Sequence, residues 1–467
     1  MRPIFFALWI ICILLIHLLF LTLTRFTLWP EMLAYPYLLN HGFLLYSDII
    51  NPYPPLLINL LSIFTKQFSY EVLPIQILTW STIFIIDIAI FTLGLKIAKN
   101  LSLAFASLIF FVVLSVPFGV NGIWFDLFQA VPILLSVFSM YLYLQNPKIK
   151  KNLIISFCLL ALSYSVKQQA VWVFAWYIFL GLITLKKFKK NVFHFLLLSL
   201  LPFLIIVIPL MGLFLKKEIW GDFLFWTVYI PFFKSSALPG YILFPNMKQL
   251  LVLIVLGLIF LPSLLRYKLK DTYFALTGFV LFIFAYPRFD YFHLIPSLAV
   301  LCLGFGKNIQ YLAKSNLKIK LISLSAVLLL AVFSIRYFSR NWTTETRFFE
   351  NEVYQTAKFM QIINPSNEPV FLQNVSAQLL VVAGHVPTKP WADSFPWYLE
   401  IPGVQEKVIE GIKNDNPAFV VYKPYQNTGE FDLASYRPKL IAGYIDENYV
   451  ESFKITEQLL LRFKAAR

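Results

Sequence analysis

Long runs of apolar residues that carry almost no charge constrain this chain more than any other feature of its sequence. Hydrophobic residues make up 59% of the 467 residues and charged residues only 13%, whereas soluble domains are roughly half apolar and a quarter charged. Most of the runs are roughly 17 to 25 residues long, which is the length that a helix needs to cross the hydrocarbon core of a bilayer. The sequence therefore predicts a mostly α-helical, polytopic membrane protein.

The apolar runs predict about eleven transmembrane spans. These lie at residues 4–28, 72–95, 101–118, 125–145, 153–166, 169–185, 192–215, 247–265, 272–286, 291–306 and 320–338. The first run is too long for the apolar region of a signal peptide and has no small-residue cleavage site. We therefore interpret it as a retained membrane anchor.

Basic residues set the predicted orientation of these spans. Residues 1–338 contain 26 Lys and Arg against 9 Asp and Glu, whereas residues 339–467 contain 13 against 15. With a cytoplasmic N-terminus, 17 of the 26 basic residues fall on the cytoplasmic side, as the positive-inside rule requires. We expect a multi-pass protein of the plasma (inner) membrane whose basic loops meet anionic lipids. The same distribution argues against a nucleic-acid partner.

A change in polarity near residue 339 divides the chain into two predicted domains, a transmembrane domain (1–338) and a tail (339–467) outside the cytoplasm. The tail alternates predicted helices at 347–363, 376–384 and 404–414 with short apolar strands at Pro369–Leu372, Ala418–Tyr422 and Leu459–Phe463. This alternation is typical of a small α/β domain.

Two carboxylates in the first outer segment are the candidate catalytic residues. Glu31 follows Trp-Pro, and Asp48 lies just before Asn-Pro-Tyr-Pro-Pro (51–55). Taken singly, Glu31 could stabilise a helix N-terminus through the dipole, and Asp48 could begin a turn. Because charges beside a membrane are costly, the two together favour a functional site.

Lys167 and Gln168 lie at the predicted outer junction of the fifth and sixth spans. An uncompensated lysine beside two apolar runs requires an anion, which would be a carboxylate or a phosphate. The alternative is a lysine that extends along a helix end to reach water. The adjacent amides favour a polar pocket, in which Gln168 could bind substrate.

Arg288, Asp290 and His293 fall between the ninth and tenth predicted spans. The planar fork of Arg288 suits a phosphate, and His293 lies in the first turn of the next helix. The alternative is an interfacial pair of Arg288 with Asp290, with His293 as a cap. We favour anion binding, with Asp290 as a possible substrate contact.

Other acidic residues are weaker candidates. Asp126 is expected to be the N-cap of the fourth span, although it could bind substrate. Asp87 lies in the middle of the second span, where it could be functional or could bond to a neighbouring helix. Glu218 and Asp222 lie in an outer segment.

Several familiar cofactor motifs are absent from the sequence. It contains no Gly-x-x-x-x-Gly-Lys, Gly-x-Gly-x-x-Gly or His-Glu-x-x-His, and its five His residues do not have the spacing of metal ligands. We therefore expect no cofactor, and the sequence leaves open whether a divalent metal ion is required.

Three segments carry a family resemblance: GFLLYSDIINPYPPL (42–56), KQQA (167–170) and RFDYFHLIPSLA (288–299). With the predicted spans and tail, they resemble the GT-C membrane glycosyltransferases over the whole chain. The closest similarity is to the family-39, dolichyl-phosphate-mannose and aminoarabinose transferase group. The family often has an Asp-Glu pair after the first span, and here Pro30 takes the place of the Asp.

The resemblance implies that a sugar moves from a polyprenyl-phosphate donor to a glycan, lipid or protein acceptor outside the cytoplasm. It also implies that Asp48 or Glu31 is the general base, and that Lys167, Arg288 and His293 bind the donor phosphate. From the sequence we expect Asp48→Asn to cost at least about 100-fold in rate, and near-normal transfer by that variant would give the role of base to Glu31. The alternative function is a transporter or flippase of lipid-linked glycan, which would commonly show repeated halves.

Overall fold

Helices form most of the protein in the structure, which is a computed structural model. It describes residues 3–188, 191–214, 217–238, 241–391, 396–417, 419–423, 438–456 and 459–465. Five residues that belong to the predicted spans, basic loops and strands lie outside this part of the chain: Arg2, Lys189, Lys190, Leu215 and Ala418.

The α-helices are numbered in chain order. They are α1 (Pro3–Thr22), α2 (Glu31–Asn40), α3 (Leu56–Phe68), α4 (Val72–Ala98), α5 (Leu101–Ser115), α6 (Phe125–Gln145), α7 (Lys150–Val166), α8 (Ala170–Phe188), α9 (Val192–Phe214), α10 (Trp220–Leu224), α11 (Met247–Ile259), α12 (Leu261–Leu264), α13 (Leu269–Val280), α14 (Ile295–Ala313), α15 (Leu317–Asn341), α16 (Asn351–Ile363), α17 (Gln378–Ala383), α18 (Val404–Asp415) and α19 (Lys439–Asn448). A π-helix spans Phe225–Lys234, and 3-10 turns lie at Lys217–Ile219, Ser235–Ala237, Leu281–Ala285, Tyr291–Leu294 and Pro396–Glu400.

Every predicted span overlaps one of these helices, in some cases extended by an adjoining short helix or 3-10 turn. The first span, 4–28, is too long, because α1 ends at Thr22 and Phe26–Leu28 form a strand. Five helical segments of the described chain are long and apolar enough to cross a membrane: Val72–Ala98, Phe125–Gln145, Val192–Phe214, Tyr291–Ala313 and Leu317–Asn341. The chain is thus an integral membrane protein. The count of about eleven spans, the sidedness and the domain boundary at residue 339 stay predictions.

The chain forms two compact units, of which the first comprises Met1–Phe26, Gln76–Leu213 and Leu243–Thr344. Its core is apolar, and small polar side chains join the helices. Between α6 and α7, Ser136 Oγ donates to the carbonyl of Ser156 at 2.8 Å, and Ser156 Oγ donates to that of Ser136 at 3.0 Å. Small hydroxyl side chains let helices in a membrane approach closely and satisfy each other's polar groups.

A buried polar trio joins α1, α4 and α5 in the same unit. His17 Nδ1 lies 2.7 Å from Asp87 Oδ2, and Ser115 Oγ lies 3.1 Å from His17 Nε2. All three residues have 0% exposure. Asp87 therefore bonds to a neighbouring helix, which was one of the two roles that its position in mid-span predicted.

The second unit comprises Thr27–Ile75, Phe214–Ile242 and Glu345–Arg467. It contains a four-stranded mixed sheet in the order β4-β5-β7-β6, in which β4 and β5 are parallel and the other pairs are antiparallel. The described strands of the whole chain are β1 (Phe26–Leu28), β2 (Gly122–Ile123), β3 (Thr346–Arg347), β4 (Phe371–Gln373), β5 (Phe419–Tyr422), β6 (Tyr449–Lys454) and β7 (Leu460–Lys464). The predicted helices and strands of the tail have their counterparts in α16, α17, α18, β4, β5 and β7. The sequence missed α19 and β6.

Candidate active site

Three of the candidate residues meet in the first unit. Asp126 lies in the first turn of α6, Lys167 directly follows α7, and His293 lies in the 3-10 turn before α14. Lys167 Nζ is 2.7 Å and His293 Nδ1 is 2.8 Å from the same oxygen, Asp126 Oδ2, and the two nitrogens are 3.3 Å apart. The side chains of Lys167 and Asp126 are only 3% and 1% exposed. These residues are called the basic cluster below.

The basic cluster decides one point that the sequence left open and corrects one expectation. The anion that Lys167 requires is a carboxylate, because Asp126 is its counter-ion. Asp126 is not an N-cap, because Trp124 holds that position and α6 has begun at Phe125. A carboxylate two residues into the helix can turn towards the end of α7, where pairing with a buried ammonium offsets the cost of removing both charges from water.

Two glutamine side chains hold the backbone around the basic cluster. Gln129 Nε2, one turn along α6, donates to the carbonyl of Lys167 at 2.7 Å. Gln169 Nε2 donates to the carbonyls of Phe284 and Tyr286 at 3.0 and 2.9 Å. The end of α7 is thereby tied both to α6 and to the segment that leads towards Arg288.

The remaining candidates of the first unit lie close to these groups in sequence. Asp290 Oδ1 accepts a hydrogen bond from the N–H of Tyr291 at 2.6 Å, which caps the 3-10 turn that carries His293. Gln168 is buried, and Arg288 is partly exposed. The capping role predicted as an alternative for His293 thus belongs to Asp290.

The basic cluster is suited to an anion rather than to a metal ion. The ammonium of Lys167 is buried, where its charge acts strongly on an anion. The described residues contain no group of three His, Cys, Asp or Glu side chains that could hold a metal ion.

Glu31 is the first residue of α2 in the second unit. The residue is only 6% exposed, and its Oε2 has no hydrogen-bond partner among the described residues. Burial raises the pKa of the Glu31 carboxyl from 4.5 to about 7, and a hydrogen bond with its own backbone opposes this only in part. The carboxyl of Glu31 therefore changes protonation near neutral pH.

Asp48, in contrast, has one oxygen of its carboxylate hydrogen-bonded. Asp48 Oδ2 accepts from the N–H of Leu44 at 3.0 Å and from Lys389 Nζ at 3.1 Å. The N–H of Trp391 also donates to the carbonyl of Asp48 at 2.7 Å. The sequence did not point to Lys389, because a Lys-Pro-Trp stretch in a polar tail looks like an ordinary surface loop.

Solved structures of two other proteins have a fold similar to that of this chain. The structure matches that of ArnT from Cupriavidus metallidurans bound to undecaprenyl phosphate, with a TM-score of 0.60, 10% identity, and coverage of 99% of this chain and 98% of that chain. The apo state of the same ArnT matches with a TM-score of 0.63 and 11% identity, over 98% of each chain.

The archaeal oligosaccharyltransferase AglB from Archaeoglobus fulgidus, in complex with an inhibitory peptide and a dolichol-phosphate, gives a TM-score of 0.54 at 11% identity. The match covers 94% of this chain and 72% of that chain. No protein-family model matches the sequence, and no curated protein matches it either. At such low identity the likeness shows the fold alone, and it confirms the fold that the resemblance in the sequence implied.

Proposed function

We propose that this protein is a glycosyltransferase that moves a sugar from a polyprenyl-phosphate donor to an acceptor hydroxyl at the extracytoplasmic face of the membrane. The observation that carries the proposal is the basic cluster, in which Lys167 and His293 share one buried carboxylate oxygen. ArnT, which has a similar fold, has been solved bound to undecaprenyl phosphate. A polyprenyl phosphate is therefore the class of anion that we propose for the basic cluster.

The donor phosphate is the group that the basic cluster would bind. Lys167 supplies positive charge, Arg288 supplies a planar pair of donors, and Asp126 holds Lys167 and His293 in position. Charge grows on the phosphate as its bond to the sugar breaks. Groups that are already oriented stabilise that charge without the cost of reorganisation. Gln168 and Asp290 remain candidate substrate contacts.

Glu31 is the proposed general base. As the acceptor oxygen attacks the anomeric carbon, its proton passes to the Glu31 carboxylate, and the electrons of the breaking carbon–oxygen bond stay on the phosphate. A base works best when its pKa lies near the operating pH, which a value of about 7 satisfies. We assign Asp48 to positioning instead, because Leu44 and Lys389 already bind its Oδ2 and tie it to its own segment and to the tail.

The proposal is tested with purified protein in lipid nanodiscs and a labelled polyprenyl-phosphate hexose. We expect polyprenyl phosphate to be released with transfer of the label, and Lys167→Gln to suppress release. The matched control is Lys307→Gln, another partly buried lysine that pairs with a carboxylate, Asp271, at 3.4 Å. Movement of the intact lipid across vesicles without cleavage would identify a flippase and overturn the proposal. A protein that neither cleaves nor moves the lipid would also overturn it.

A further inference from the structure

Two aromatic rings and a guanidinium form a compact cluster in the second unit, which we call the aromatic platform (Trp29, Arg347 and Phe348). The ring centroids of Trp29 and Phe348 are 5.4 Å apart. The guanidinium carbon of Arg347 lies 5.5 Å from the ring centroid of Trp29 and 4.9 Å from that of Phe348. All three residues are partly exposed.

The aromatic platform adjoins the proposed base along the chain. Trp29 lies two residues before Glu31, and its carbonyl accepts a hydrogen bond from the N–H of Met32 at 3.0 Å. Trp29 is therefore fixed to the first turn of α2, which is the turn that carries the Glu31 carboxyl.

Phe348 is held in a strained backbone conformation. Its φ is +71°, in the left-handed region that bulky residues rarely adopt. Gln378 Nε2 donates to the carbonyl of Phe348 at 2.8 Å, and the N–H of Phe348 donates to Glu350 Oε1 at 3.2 Å. Such strain persists only where the surroundings impose it, and it collects at sites that bind ligands.

A glycine at position 348 would adopt this φ without strain. A phenylalanine there is unfavourable for the backbone, so the position of its ring needs another reason. The cation–π contact with Arg347 does not by itself explain the position of the Phe348 ring, because the guanidinium of Arg347 also lies over the ring of Trp29.

The chemistry of the aromatic platform matches a sugar ring. One face of a pyranose carries mainly C–H bonds, which pack against the negative face of an aromatic ring, while hydroxyls project from its edge. A guanidinium offers a planar fork of donors to such hydroxyls. A bare phosphate has no apolar face and would gain nothing from the two rings.

We propose that the aromatic platform binds the pyranose ring of a substrate beside Glu31. This inference rests on the proposed function, and it adds to it the residues that recognise the sugar. The sugar could belong to the donor lipid or to a glycan acceptor, which the experiment below distinguishes.

The test measures binding to the full-length protein in nanodiscs. The probes are polyprenyl-phosphate mannose, polyprenyl-phosphate glucose and polyprenyl phosphate without sugar. Trp29→Leu and Phe348→Gly should weaken binding of at least one sugar-bearing lipid by about 10-fold, which corresponds to loss of one good aromatic contact. Binding of the sugar-free lipid should stay the same. Because Phe348→Gly also removes strain, its melting temperature should not fall.

Phe453→Leu is the matched control, since Phe453 is another exposed aromatic residue of this unit that stacks on a ring, that of Phe359. The methyl mannoside and methyl glucoside are tested in parallel. If the variants lose only these soluble sugars, the ring belongs to the acceptor. If the variants bind every sugar as the unaltered protein does, the aromatic platform proposal is overturned while the proposed function stands. Failure of the unaltered protein to bind any lipid would instead contradict the proposed function.

Discussion

Among single residues, Glu31 is the one whose burial most directly makes the stability of the protein depend on pH. Its pKa is about 7 in the folded protein against an ordinary value of 4.5. Folding therefore favours the protonated carboxyl. This contribution of Glu31 to the free energy of unfolding is fully present below about pH 4.5 and is lost as the pH rises through about 7. The shift in pKa between the unfolded and folded states corresponds to about 3 kcal/mol.

The variant Glu31→Gln should therefore gain stability relative to the unaltered protein as the pH rises. Because glutamine does not ionise, it escapes the cost of a buried charge that the carboxylate carries at pH 8. We expect the difference in melting temperature between the two proteins to be larger at pH 8 than at pH 4.5. A difference that does not change with pH would show that Glu31 titrates normally.

The same residue should control the pH dependence of sugar transfer. If the carboxylate of Glu31 is the base, kcat/KM rises with pH to a plateau, with a midpoint near 7. Glu31→Gln should lower kcat by at least about 100-fold, while Asp48→Asn should lower it by less. A loss of about 100-fold in Asp48→Asn alone, with normal transfer by Glu31→Gln, would give the role of base to Asp48.

Asp126 should matter for stability as well as for transfer. Asp126→Asn leaves the buried ammonium of Lys167 without its counter-ion, and breaking a buried pair in this way typically costs about 3–5 kcal/mol. The double variant Asp126→Leu with Lys167→Met removes both charges and should melt closer to the unaltered protein. Equal melting temperatures for Asp126→Asn and the unaltered protein would show that water reaches the pair.

At the scale of helices, the polar trio of His17, Asp87 and Ser115 should hold α1 against α4 and α5. His17→Leu leaves a buried carboxylate unpaired, whereas Ser115→Ala removes one hydrogen bond, which in membranes averages about 0.6 kcal/mol. We expect His17→Leu to destabilise far more than Ser115→Ala, and His17→Leu with Asp87→Leu to recover part of the loss. Thermal unfolding in detergent measures these differences, and equal effects of the two single variants would argue against this role.

The helices also show which local signals are reliable. The run from 125 to 145 became α6 with the same bounds, because its length and lack of charge permit little else in a membrane. In the tail, α18 appeared close to its predicted bounds because its apolar and polar residues alternate with a helical period. The missed strand β6 (Tyr449–Lys454) pairs with β7, and its hydrogen bonds depend on that neighbour rather than on its own pattern.

At the scale of the whole molecule, the proposed function requires the outer segments to share one compartment. Cysteines at Glu71 and Tyr286 should react with a membrane-impermeant maleimide added outside the cell, and cysteines at Lys151 and Lys268 should not. All four positions are exposed. The native residues Cys12, Cys158 and Cys302 are first replaced by alanine. Labelling of positions 71 and 286 from opposite sides would refute the predicted topology.

By itself, the sequence determined which long apolar runs form helices and which candidate residues to consider. Those properties depend on neighbours a few positions away, through helix length, periodicity and the cost of charge in lipid. Only the tertiary structure decided that Asp126 pairs with Lys167, 41 positions away, and with His293, 167 positions away. It also decided that Lys389 pairs with the carboxylate of Asp48, whereas the carboxyl of Glu31 is buried and has a raised pKa. Pairing and desolvation depend on which distant segments meet, and no local pattern encodes that.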